Sequence, residues 1–263
     1  MRGLAGFAME GRSRALLLAI ATAGSLLFAW IAAALVALVT LRKGYGEGLQ
    51  LLLWASLPGL ILARVTGDGS VLALVVGTAL LGFTLRASVS LALTALASVA
   101  VALLTAVLMA AFGEVILDEL VRIFNDFLTA LEEQQNRASG GTDLALARPT
   151  RLQIAGMLGT ANGSLSFLCL ALARYWQAGL YNPGGFGAEF RALRFPPAVV
   201  WVLVLAALGV ASLGFTWRSW AAAFALPLTV AGFALLHARA VRRGRGRAWM
   251  GAIYVAWAVF DAA

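Results

Sequence analysis

From Ala15 to Leu41 the chain carries no charged side chain. A helix crossing the hydrocarbon core of a bilayer, about 30 Å thick, needs roughly 20 apolar residues, and this run exceeds that. Further apolar runs fall at 49–63, 71–85, 87–112, 152–173, 197–216, 220–236 and 248–260. They are continuous rather than alternating, which excludes a transmembrane β-barrel. The expected fold is therefore all-α, a polytopic transmembrane helix bundle of about seven to eight spans. The runs at 49–63 and 71–85, parted by "RVTGDGS", have little length to spare, and 248–260 is short for a crossing.

Composition agrees. Hydrophobic residues make up 62% of the chain and charged residues 12%, with a mean hydropathy of +0.89. A soluble domain carries about a quarter charged residues, because its surface must be wetted. The opening "MRGLAGFAMEGRSRALLLAIATAG" has arginines before an apolar run, as a signal peptide does. That run outlasts a secretory core of about 7 to 15 residues, so it reads as a retained first span.

The formal net charge is +8. The cations cluster at the ends of apolar runs, where they meet lipid headgroups, so the expected partner is the bilayer and not nucleic acid. If every run crosses, one face receives Arg42, Lys43, Arg86, Arg174, Arg191, Arg194 and the group from Arg239 to Arg247. The excess of cations on cytoplasmic loops then places that face inside and the N-terminus outside.

Three regions follow: an N-terminal four-span half (1–112), an acidic amphipathic helix and linker (113–151), and a C-terminal half (152–263). In "GEVILDELVRIFNDFLTALEEQ" apolar residues recur at helical spacing from Leu117 to Leu131, opposite Glu114, Asp118, Arg122 and Glu132. This helix extends the preceding span, covers the bundle, or offers a surface to a basic partner. "NRASGGTDLALARPT" reads as a flexible linker.

Catalytic patterns are sparse. His237 is the lone histidine, with no Cys, Asp or Glu at ligand spacing, and "RGRGR" lacks the Lys-Ser/Thr of a phosphate loop. Cys169 stands alone in an apolar run. No enzyme activity, metal or cofactor is expected. Two other features stand out. Small residues at Ala21, Ser25, Ala29, Ala33 and Ala37 form an i+4 ridge that suits either intrachain packing or the docking of a second membrane protein. The fifth span carries Thr160, Asn162, Ser164 and Ser166, together with a Gly159–Gly163 step. Asn162 facing lipid without a partner would be costly, so it should face the bundle or a cavity. Arg174 lies just over three turns beyond it. From 174 to 197 an interfacial hairpin is expected, with Tyr175, Trp176, Tyr181, Phe186 and Phe190 at headgroup level around the Asn182-Pro183-Gly184-Gly185 turn.

The stretch "RYWQAGLYNPGGFGAEFRALRFP", with "LVTLRKGYGEGL" after the first run, resembles the YybS-like family of bacterial polytopic membrane proteins of unknown function. That family is distantly similar to the substrate-binding subunits (S components) of energy-coupling-factor vitamin transporters. The resemblance implies a multi-pass protein of the bacterial inner membrane. It would bind a small solute between helices near Asn162, Ser166, Arg174 and Asn182, and depend on partner subunits for energy. Ala29, Ala33 and Ala37 match the spacing of the first-helix motif by which such subunits dock their coupling partner. The sequence departs from that pattern in its number of apolar runs and its acidic insert. The competing expectation is a membrane scaffold or assembly factor acting through the ridge and the acidic helix.

Overall fold

A computed structural model describes residues 2–138, 146–244 and 247–261. Seven of the fifteen residues of the expected linker, 139–145 with Asp143, and Arg245 of the basic cluster lie outside the described residues. All regular structure among the described residues is helical: α1 (Arg2–Met9), α2 (Arg12–Ala23), α3 (Ala29–Lys43), α4 (Tyr45–Thr66), α5 (Ser70–Ser88), α6 (Leu91–Phe112), α7 (Glu114–Ala138), α8 (Arg151–Tyr181), α9 (Gly185–Ala192), α10 (Pro197–Ser212), α11 (Arg218–Ala221), α12 (Leu226–Arg242) and α13 (Arg247–Asp261). Short 3₁₀ turns flank α11.

Five segments are long and apolar enough to cross a membrane: α4, α5, α6, α8 and the continuous stretch Phe215–Arg242. Counting α9 and α10, bent by 73° at Pro196-Pro197, as one broken span gives six. The count expected from the sequence is higher for two reasons. α13 is about 22 Å long at 1.5 Å per residue, too short for the hydrocarbon core. The long first run, moreover, is not one helix.

It breaks at Gly24–Phe28. The Gly24 N–H closes on Ile20 O, Ser25 N–H on Thr22 O, and Phe28 N–H on Ser25 O, which turns the chain back on itself. Gly24 and Ser25, both weak helix formers, supply the weak point. α2 and α3, about 18 and 22 Å long, thus form an antiparallel hairpin. Arg12 at the start of α2 lies 3.6 Å from Glu47, and Ala15 and Leu16 border the same crevice as Val39, Lys43 and Leu51.

α3 is the centre of the bundle, packed against α2, α4, α5 and α8. Every residue from Ala32 to Thr40 is buried. The small-residue ridge is therefore divided by the turn. Ala21 is exposed on α2, whereas Ala29, Ala33 and Ala37 are buried by the chain's own helices. This corrects the expectation of a docking surface at these three alanines: they admit α5 and α8, not another protein. Ala37, for one, packs against Gly82 of α5.

The most extensive interface joins α6 to α8. A Cβ on Gly159 would stand 2.4 Å from Ala102 O, and one on Gly163 would stand 2.7 Å from the Ala102 methyl. The Gly159–Gly163 step thus brings two backbones together within the chain, the close approach that small residues permit in lipid.

The hairpin also changes the polarity of the molecule. Because α2 starts beside the end of α3, Arg12 and Arg14 share one end of the bundle with Arg42, Lys43, Arg86, Arg174, Arg191, Arg194, Arg239, Arg242 and Arg243. The far end holds Arg64, Arg122, Arg137, Arg148, Arg151 and Arg218 with the acids of α7. The sequence-based expectation of an N-terminus opposite the arginine-rich face does not hold.

Two outcomes follow. Single cysteines at Ser13 and Asn182, both exposed, should react with an impermeant maleimide from the same side of the membrane, and one at Gln134 from the opposite side; opposed labelling of positions 13 and 182 would refute the hairpin. Gly159→Leu should lower stability in detergent by about 1–3 kcal/mol through overpacking. Gly209→Leu, with open space around its Cβ position, should leave the melting temperature unchanged.

Candidate functional site

α8 begins at a reciprocal cap: Gln153 N–H donates to Thr150 Oγ1, and Thr150 N–H donates to Gln153 Oε1 at 3.0 Å. That start fixes which residues look inward. Gly156 faces Trp220, whose indole N–H reaches Leu152 O at 2.8 Å, and Thr160 donates to Ser219 O. Asn162 and Ser166, one turn apart, turn instead toward α5.

Asn162 Nδ2 donates to Thr105 Oγ1 on α6 (2.9 Å) and to Ala73 O on α5 (3.3 Å). The Thr105 hydroxyl in turn donates to Val101 O at 2.8 Å. One amide therefore links three helices at membrane depth. Ser166 is fully buried a turn away. Both side chains close on Gly77 of α5: a Cβ there would lie 2.7 Å from Ser166 Oγ and 3.4 Å from Asn162 Nδ2. The Ser166 hydroxyl has no hydrogen-bond partner in the protein, and the buried Thr78 hydroxyl meets the Cys169 thiol, a weak partner. An unpartnered buried hydroxyl is costly, and Ser166 carries one beside the Gly77 notch.

Two hollows meet at this linkage. A cavity of about 460 Å³ lies between the end of α4, α5 and α6, with Gly77, Val101 and Thr105 in its wall. A cleft of about 380 Å³ lies on the other side, between the α2–α3 turn, α5, α7 and α8, with Asn162, Leu158 and Leu165 in its wall. Ala73, Thr105 and Met109 border both. Largely apolar walls with a few convergent polar groups are the usual make-up of a small-molecule site.

The four residues expected at one site do not form one. Asn162 and Ser166 come together. Arg174 lies about 18 Å further along α8, where Nη2 pairs with Glu189 of α9 at 2.8 Å and Nη1 donates to Gln177. Asn182 caps α8 at the arginine-rich end, exposed, with its side chain folded over Gly185. The ion pair and the turn belong to the hairpin at 174–197 and fasten it to α8.

The remaining candidates have structural partners. His237 Nδ1 bonds to Phe233 O at 2.8 Å, Nε2 faces Tyr254 OH at 3.3 Å, and the ring stands edge-on to Phe190. The acids of α7 are mostly paired within the chain: Arg151 with Asp118 and Glu114, Arg148 with Glu132, Arg137 with Glu133, and Arg122 with Glu119. The Arg122 hydrogen bond holds the Glu119 carboxyl below its usual range. Little negative charge is left for a basic partner. Thr105 and Gly77 went unnoticed in the sequence. A lone glycine inside an apolar helical run, as in "ALVVGTAL", is the signal that could have found the second.

Comparison with family models finds no match for the chain, and comparisons with curated proteins and with solved structures find none either.

The Arg174–Glu189 pair is three-quarters buried or more, unlike Arg137–Glu133. A double-mutant cycle with Arg174→Gln and Glu189→Gln should give a coupling of about 1 kcal/mol. The same cycle at Arg137 and Glu133 should give less than about 0.5 kcal/mol, as exposed helix pairs do.

Proposed function

We propose that the chain is a binding protein of the bacterial inner membrane, with its arginine-rich end in the cytoplasm, that holds a small organic solute between α5, α6 and α8 and takes energy from partner subunits. The observation that carries the reading is the meeting of Asn162, Ser166 and Thr105 at the Gly77 notch, with a hollow on either side. Polar groups at membrane depth are expensive, and they collect where a ligand or a pathway gives them a task. The site is reduced relative to the sequence expectation: Asn162 and Ser166 remain in it, with Thr105 added, while Arg174 and Asn182 serve the hairpin.

Partner subunits must dock elsewhere than at Ala29, Ala33 and Ala37. The scaffold reading loses the same surface. One observation still favours it: Ile123, Phe127 and Leu131 of α7 are exposed along one apolar face.

Native mass spectrometry of the detergent-purified protein separates the two. Solute binding predicts a retained small molecule that is lost in Asn162→Leu, with stability lowered by roughly 1–2 kcal/mol as two hydrogen bonds disappear. A variant that keeps both ligand and wild-type stability would refute the role of Asn162. A stoichiometric protein partner with no small molecule would favour the scaffold.

A further inference from the structure

The larger hollow has a shape that names its occupant. Its floor is made of small residues, Ala63, Gly67, Ala73 and Gly77 among them. Its rim is made of large ones that also face outward: Leu80 is 40% exposed, Leu104 49%, Leu108 48% and Phe112 83%. It is therefore a groove open sideways between α5 and α6, along helices that are apolar enough to span a bilayer. A water-soluble solute entering from the membrane surface would have no reason for a mouth in this wall.

The groove has direction and length. On α6 it runs from Val101 to Gly113, and on α5 from Leu80 to Gly69. At 1.5 Å per residue these are about 18 and 16 Å. One leaflet of hydrocarbon is about 15 Å deep, half of a 30 Å core. The groove thus extends from the bilayer midplane, at Leu80 and Val101, past Gly77 and Thr105, to the surface at Gly67, Gly69 and Gly113. Thr105 is its one polar side chain, and that hydroxyl is already committed to Asn162 and Val101 O.

We infer that the groove seats a single acyl or prenyl chain of a membrane amphiphile, drawn laterally from the leaflet at the α7 end, with the head group at Gly67, Gly69 and Gly113 and the chain tip between Leu80 and Val101. This rests on the solute-binding reading above and deepens it: the solute is a lipid-like molecule, and the bilayer is its source. The occupant is a lipid chain and not a protein helix, because the rim is formed by exposed leucines of α5 and α6 and the hollow's volume of about 460 Å³ is less than half of what a helix about 10 Å across would fill over that length.

The test reconstitutes the full chain in phosphatidylethanolamine–phosphatidylglycerol vesicles containing a phospholipid with a diazirine in mid-chain, and maps the photoadducts. Leu205 and Leu208 on α10 are more exposed, at 63% and 62%, than Leu104 and Leu108. Simple exposure therefore predicts more adduct on α10. A seated chain predicts the reverse, with Leu104 and Leu108 labelled several-fold more, and competition by excess unlabelled oleic acid reducing that excess alone. Ala73→Phe, which fills the floor, should bring the two sites to parity, and the wild-type ratio decides the matter if that variant fails to fold. Labelling that follows exposure overturns the inference, as does crosslinking of the groove to another polypeptide. If native mass spectrometry meanwhile finds a water-soluble compound dependent on Asn162, solute binding survives and only the lipid assignment falls.

Discussion

Inside a bilayer an apolar side chain gains little by exchanging lipid for protein, so helices associate only where their surfaces fit closely. This constraint organises the molecule. α8 lies on α6 because Gly159 and Gly163 leave no side chain in the way, and α3 fits among its neighbours because half of its ten buried residues are alanines. The same closeness forces the polar groups of the interior to find one another. Asn162 can span to Ala73 and Thr105 only because three backbones converge around it.

Much of this was legible in the sequence. The apolar runs gave the helices, the 3.6-residue pattern gave α7, and the cost of burying an amide pointed Asn162 inward. The reversal at Gly24–Phe28 was not legible, because a run without charges looks the same whether it crosses once or folds back. Hydropathy measures affinity for lipid and is silent about direction. The candidate site was half legible for a related reason. Asn162 and Ser166 lie one turn apart and share a face, so spacing joined them correctly. Arg174 and Asn182 follow them closely in sequence, but several turns of helix carry them to the other end of the bundle.

The hairpin makes the charge distribution coherent. Four of the six cations at the far end, Arg122, Arg137, Arg148 and Arg151, are met by the carboxylates of α7. At the other end Arg12, Arg14 and Arg174 pair with Glu47, Glu10 and Glu189. Among the described residues no acidic side chain pairs with Arg42, Lys43, Arg191, Arg194, Arg239, Arg242 or Arg243. Arg86 caps the carbonyls of Thr40 and Leu41, and Arg42 stacks over Tyr181. Of the cations assigned to an end above, eleven gather at one end and six at the other, and an excess of Lys and Arg is the asymmetry that orients a chain in a membrane.

The enclosed position of α3 has a consequence for biogenesis. α8, which forms one of its walls, is made more than a hundred residues after it. Until then α3 can pack only on α2, α4 and α5, and the side that α8 covers in the finished molecule faces lipid or the insertion machinery. The helix at the heart of the protein is thus enclosed late, so assembly has to conclude around a waiting core.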